Sequence, residues 1–597
     1  MKSRLFRNCL LLAAGLLVFL PANTRAQAPL EPAQMPARTV FYMIWRGTPS
    51  DDTRKANSLL ALWDDPDFAL VRSGVAGSMF HDANNKSPEQ KLNSEEIKEF
   101  ASLLENPFTV GYLSEPAKRG AKNVSTSSDS KGDAKADSKA RQWNGFFFVY
   151  DRTGKELLVA KALLRLRAAQ KDQPAISQIT LAGVPVTKSE SKNGATYWAE
   201  KGKFVVSASE SAVMEEILGR VGNKPSPGAS LAQSAAYQEA QPVVSGGILE
   251  FFLRIPDLKD LAEGSKTGEM KVAPLVDALH LDAVHSLSGH VTFEGPKTHV
   301  QAAILGDASE GTLFDIFASG QATPASLSFV PAEAISYSAG QINFTGIYSV
   351  VKRVARAAFP QGQQGNADII DTMAQARLGM PVTDALDLLS GEFASAQTSP
   401  SMDPAKQVYF LGIRKKPETL KLIRALCGDR LSSERNEGDV TFMKISLGGK
   451  QGNAGVAQWN FFNLAVTQDM ILGASRTETL RETLANRAKP GTAAGLSSVP
   501  QFQAGRSKYP ENLTGLGYFD FQKVDWAATK DRWIQEAKKA SATKSAGLAQ
   551  KQDASVTFKG LDWLDQVNPE VFKKHLHYST SVSWKDSKGI HWDQWLE

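Results

Sequence analysis

Apolar and polar residues alternate with a period of two over many short stretches of this chain, and Gly, Pro, Asn and Ser separate them. In the first half the alternation predicts strands at 40–46, 107–113, 145–151, 176–187, 195–208, 246–254, 286–294 and 298–305. Lys201-Gly202 and Gly295-Pro296 read as turns. Helical periodicity occupies 54–73, 93–104, 155–169, 210–221, 230–241 and 256–282, with Asp65-Pro66-Asp67 punctuating the first. After Ser209, Met214, Ile217, Leu218 and Val221 repeat at the spacing of one helix face. Short turns between alternating strands indicate a mainly antiparallel sheet with helices layered on one face.

The pattern returns in the second half. Val205-Val206-Ser207-Ala208-Ser209-Glu210-Ser211 leads into Met214, Ile217 and Leu218. Ile471-Leu472-Gly473-Ala474-Ser475-Arg476-Thr477 leads in the same way into Leu480, Thr483 and Leu484. In both, Ser209 or Ser475 reads as an N-cap, and Ser475 to Glu478 has the spacing of a capping box. Pro36–Tyr42 matches Pro331–Tyr337, Leu103–Phe108 matches Leu388–Phe393, Phe147–Val149 matches Tyr409–Leu411, and Val291–Phe293 matches Val582–Trp584. The expected fold class is therefore α+β, with two tandem related repeats, each a mainly antiparallel sheet with helices packed on one face. The expected boundaries are a signal at 1–26, a linker at 27–35, a first repeat at 36–307, a linker at 308–330 and a second repeat at 331–597. Polar tracts at 118–141 and 535–555, without apolar period, read as a disordered insert and an Ala/Lys/Gln-rich insert.

Composition adds a compartment. Lys2, Arg4 and Arg7 precede an apolar core, Cys9–Leu20, that is too short to span a bilayer, and small residues follow around Ala26. This is the pattern of an export signal, and it places the protein in the periplasm or outside the cell. Residues 1–26 carry four basic and no acidic residues, so their removal takes the net charge from +5 to +1. That balance supplies no field for nucleic acid. Cys427 would then be the only cysteine, so a packed core rather than a disulfide must provide stability.

Candidate chemistry is sparse. Seven of the eight histidines fall near the ends of the two repeats, and His575 with His577 would share one strand face as the start of a metal site. Asp64-Asp65-Pro66-Asp67 lacks the alternating ligands, Gly and distal Glu of a calcium loop and reads as a helix junction. Lys266-Thr267-Gly268 lacks the partner motifs that penicillin-recognising enzymes require. The helices at 155–167 and 415–424 are both basic, through Lys155, Lys161, Arg165 and Arg167 and through Lys415, Lys416, Lys421 and Arg424. No catalytic or cofactor-binding set emerges, and no cofactor is expected.

Pro36-Ala37-x-Thr39, Trp45-Arg46-Gly47, Asn57–Phe68, Tyr197–Ser207 with Ser209-Glu210, and Ser230-Leu-x-x-Ser-x-x-Tyr237 resemble an uncharacterised family of exported bacterial proteins known only as a domain of unknown function. The resemblance implies export and a repeat-built fold, and brings no catalytic residues. The leading expectation is an exported, non-enzymatic scaffold or binding protein of the bacterial envelope. Its partner would be an envelope component or another protein, with no nucleic acid and no transmembrane segment after signal removal. The alternatives are an envelope hydrolase or metal-dependent enzyme using His575 and His577, and a carrier of an apolar envelope ligand.

Overall fold

The structure is a computed structural model. It describes residues 27–69, 71–72, 99, 102–115, 144–168, 174–191, 194–222, 228–257, 266–267, 270–271, 277–309, 311–318, 320, 323–358, 366–447, 461–487, 495–506, 509–510, 512–545 and 566–597. Among the described residues, twenty strands belong to one antiparallel sheet, and a pair of two-residue strands forms a second. This overturns the expectation of two tandem repeats that each carry their own sheet. The chain divides into two compact units, residues 1–50 with 95–258, and residues 51–94 with 259–597.

The first unit holds β1 (Thr39–Trp45), β2 (Phe108–Leu113), β3 (Phe146–Asp151), β4 (Ala175–Leu181), β5 (Val184–Ser191), β6 (Gly194–Lys201), β7 (Phe204–Ala208) and β8 (Leu249–Arg254). Their order is β4-β5-β6-β7-β3-β2-β1-β8, antiparallel throughout. The expected strand 176–187 is in fact two strands. Ala182 and Gly183 both have positive φ, 51° and 74°, and close a two-residue hairpin.

Ser209 does not cap the following helix. Its hydroxyl donates to the carbonyls of Asn144 and Phe146, and the helix runs Ser211–Arg220 behind Glu210. The Ser-Leu-x-x-Ser-x-x-Tyr stretch is a run of caps. The Gln233 side chain accepts the Ser230 amide at 3.0 Å, and Ser234 Oγ accepts the Tyr237 amide at the start of helix Ala235–Val244. Arg46, after the fully buried Trp45, donates to Glu31 and, at 3.0 Å, to the buried Glu250. It thereby ties the N-terminal segment and β8 to β1.

The second unit holds the small pair β9 (Lys266–Thr267) and β10 (Met270–Lys271). Its large sheet contains β11 (Val284–Glu294), β12 (Lys297–Gly306), β13 (Ser336–Gln341), β14 (Leu389–Gln397), β15 (Gln407–Ile413), β16 (Leu431–Glu437), β17 (Val440–Ser446), β18 (Phe461–Val466), β19 (Met470–Ala474), β20 (Leu513–Asp520), β21 (Tyr578–Asp586) and β22 (Gly589–Leu596). The order is β11-β12-β22-β21-β20-β13-β14-β15-β19-β18-β17-β16. From β16 to β20 it follows the same connectivity as β4 to β8 in the first unit. The expected boundary between repeats fails at β12. It would have ended the first repeat, but its outer edge pairs with β22 from Thr298↔Leu596 to Leu305↔Gly589, so its backbone groups are satisfied there.

Helices also cover both faces of this sheet, not one. Leu480 of helix Thr477–Arg487 and Phe502 of helix Pro500–Arg506 pack with Phe410, Leu472, Tyr518 and Val582 on one face. On the other, helix Lys416–Cys427 packs Ile423 with Ile413, Met443 and Val466. The apolar run Met470-Ile471-Leu472 requires this, because successive residues point to opposite faces. Cys427 joins the second cluster half-buried, and burial pushes its thiol up. The tract expected as an insert at 118–141 lies outside the described residues. Of the tract 535–555, residues 535–545 complete helix Trp526–Ser545, and the remainder lies outside the described residues.

Candidate functional site

The acidic cluster and the histidines meet in the second unit. Asn57 starts helix Ser58–Asp64 by accepting the Leu60 amide at 3.2 Å, and accepts the Thr298 hydroxyl at 3.1 Å beside the β11–β12 turn. The helix stops at Asp65, whose ψ of 129° is extended, as the residue before a proline prefers. Asp65 Oδ1 then accepts the Asp67 amide at 2.9 Å and caps the short turn Pro66–Phe68. Its Oδ2 receives Lys574 Nζ at 2.6 Å and His575 Nε2 at 2.8 Å. These hydrogen bonds, His575 first and Lys574 second, hold the Asp65 carboxyl well below the usual carboxylate range. Around them Phe68 packs edge-on to Phe572, with Leu62, Val571 and Leu576 in the same cluster.

His575 and His577 do not share a strand face. His575 ends the helix Val571–His575, whereas His577 is exposed in the connection to β21, its backbone amide donating to Glu597. A lysine ammonium occupies the position a cation would take beside Asp65. Among the described residues no group of three His, Cys, Asp or Glu side chains is placed to hold a metal ion. The arrangement is a polar latch between two helices.

A second histidine group lies where β11, β12 and β22 run side by side. His299 stacks on Trp595 with ring centroids 3.8 Å apart and hydrogen-bonds through Nε2 to the buried Asp593. The buried His290 meets His299 edge-on at 6.1 Å. Trp595 Nε1 donates to Tyr509 Oη at 2.8 Å, and His591 stacks on Trp584. Burial first, and then Asp593, push the Tyr509 phenol up. Pairing is what the sequence could not supply here: the register His299↔Trp595 joins a residue at the middle of the chain to one at its C-terminal end.

The basic helices are engaged locally. Lys155 pairs with Glu105 at 2.7 Å, Lys161 with Glu99, and Arg424 with Glu434 at 2.6 Å; the Arg165 and Arg167 side chains lie outside the described residues.

An open stretch of sheet lies on the face of the second unit beyond the cover of helix Lys416–Cys427. Cross-strand pairing aligns Tyr409, Ser395, Ser338, Gly517, Ser581 and Gln594 in one row across six strands. The adjacent row is Phe393, Gly340, Gly515, Ser583 and Trp592. Phe393 and Tyr409 are 43% and 40% exposed. The floor between the aromatic ends is Gly and Ser, and it spans about 19 Å from β14 to β22 at the usual strand spacing. Phe393 lies over Gly340, where a Cβ would fall 2.5 Å from its ring. No sequence motif announced this surface; its signal is the run of small residues at alternate positions in β13, β20 and β21.

No protein-family model, curated protein or solved structure matches the chain. Among the described residues no helix is long and apolar enough to cross a membrane.

Proposed function

We propose that this is an exported, non-enzymatic binding protein of the bacterial envelope, and that the open face of the second unit receives its partner. One observation carries the reading: two large aromatic rings stay about 40% exposed beside an uncharged Gly/Ser floor that crosses several strands. Exposed apolar surface bordered by polar groups is costly unless a partner covers it. Small residues let that partner approach the backbone, and the hydroxyls of Ser338, Ser581 and Ser583 offer hydrogen bonds. The partner such a face fits is flat or extended and uncharged, and touches aromatic rings.

The test is native mass spectrometry of the protein purified from its own host's envelope, alongside the double variant Phe393→Ser, Tyr409→Ser. The reading expects an added mass on the wild type and its loss in the variant, with the melting temperature unchanged. An added mass that survives the double substitution removes the open face from the binding role.

A further inference from the structure

β4 and β16, each with one paired neighbour among the described residues, differ in a way that selects a partner. β4 reads Ala-Ile-Ser-Gln-Ile-Thr-Leu, with no charge and no proline, and among the described residues it pairs only with β5. Most of its residues are exposed, Ile176 at 55%. β16 holds the corresponding place in the second unit, and its edge carries Glu434, Arg435 and Glu437. Arg424 grips Glu434 at 2.6 Å, and Arg481 reaches Glu437 at 3.1 Å. Charges of this kind are the usual guard of a strand edge against further pairing. β4 has none.

The hairpin geometry says which backbone groups β4 leaves outward. Leu181↔Val184 flanks the two-residue Ala182-Gly183 turn, so these two exchange hydrogen bonds, as do Ile179↔Val186, Ser177↔Lys188 and Ala175↔Glu190. Ile176, Gln178 and Thr180 therefore direct their N–H and C=O groups away from β5. A row of donors and acceptors at this spacing is complementary to one kind of ligand, a polypeptide in extended conformation.

We propose that β4 is a docking edge for β4 of a second copy of this chain, the two strands running antiparallel about a two-fold axis through Gln178. In that register Gln178 faces Gln178 and Ile176 faces Thr180, so every outward group of one strand meets an outward group of the other. No like charges meet. The alternative pairing of β4 with β16 of another copy sets an uncharged strand against Glu434, Arg435 and Glu437 and propagates without closing, whereas the two-fold pairing closes on itself. Seven residues a side make a small interface, so the dimer forms in a concentration-dependent way.

Gln178 is exposed, and its side chain makes one hydrogen bond, to Thr187 Oγ1 at 2.9 Å, so it can be changed without disturbing the core. Gln178→Lys and Gln178→Glu each place like charges opposite one another at the axis, while a mixture of the two places opposite charges there. Sedimentation velocity of the full chain should show a monomer–dimer equilibrium. Each variant should weaken it roughly fivefold or more, and the equimolar mixture should recover a dimer at least as strong as the wild type. Equal melting temperatures for all three proteins establish that the variants are folded. The proposal is overturned by a wild type that is monomeric over the whole soluble range, by variants that associate like the wild type, or by a mixture no stronger than either variant alone.

Discussion

Asp65 shows how one side chain can serve two structural ends at once. One oxygen caps Pro66–Phe68 and the other binds Lys574 and His575, so the carboxylate form is the one that folding favours. Its folded-state value lies below that of an unfolded aspartate, about 3.9. The stability it contributes is therefore fully present above about pH 4 and is lost as the pH falls below that. Asp65→Asn keeps an oxygen to cap the turn and removes the charge. Its melting temperature should be lower than the wild type's at neutral pH and converge on it in acid. Asp65→Ala also loses the cap, which costs about 1 kcal/mol more. Thermal melts of the three proteins across pH 2.5 to 7 check this; parallel curves for wild type and Asp65→Asn would show that the latch carries no pH-dependent stability. Glu392 is a second case at this scale. Buried in β14, it accepts the Ala325 and Ser326 amides at 3.0 and 2.8 Å. Glu392→Leu would strand both donors and should cost about 1–3 kcal/mol in a denaturant titration, whereas a change within error would mean the Ala325–Phe329 turn finds other acceptors.

At the scale of elements, the chain's local pattern was legible and its pairing was not. β7 and β19, the helices that follow them, and the turns at Gly202 and Gly295 stand where alternation and turn residues put them. Neither Ser209 nor Ser475 caps its helix, because a hydroxyl's partner depends on what lies across space. Ser209 is drawn to carbonyls at the edge of β3, and Ser475 Oγ is buried without a partner while helix Thr477–Arg487 begins two residues later. The contact of Asp65 with His575 spans 510 residues, which no periodicity encodes. Likewise β12 and β22 carry ordinary half-buried patterns, and nothing local says that they are neighbours. Two glycines separate sequence demand from local freedom. Gly589 has φ of +143° and a Cβ there would fall 2.0 Å from the Ile304 carbonyl oxygen, a backbone atom that cannot step aside. At Gly340 the obstacle is the half-exposed Phe393 ring, which can swing away. Gly589→Ala should thus destabilise by about 1–3 kcal/mol and Gly340→Ala by clearly less. Equal losses in chemical denaturation would refute that ranking.

For the molecule as a whole, the two-sided burial of β19 and the exposed edges set a gradient of local stability. Within the second unit, Met470–Ala474 is covered by helix Thr477–Arg487 on one face and by helix Lys416–Cys427 on the other, and it pairs with β15 and β18 along both edges. Opening it requires both helices to leave. β16 pairs only with β17 among the described residues and is exposed along nearly its whole length. β4 has the same single-sided support in the first unit. Amide exchange follows the free energy of the opening that exposes each group, so these strands belong at opposite ends of the scale. Hydrogen exchange read by mass spectrometry should find peptides over 470–474 protected longest. Outward amides of 431–437 and 175–181 should exchange orders of magnitude sooner at low protein concentration. Raising the concentration separates the two edges: the charged β16 should keep its fast exchange, while Ile176, Gln178 and Thr180 slow as β4 finds its second copy. Uniform protection across 470–474 and 431–437 would mean the sheet opens as one cooperative block, with no weakness at the edge that carries the charges.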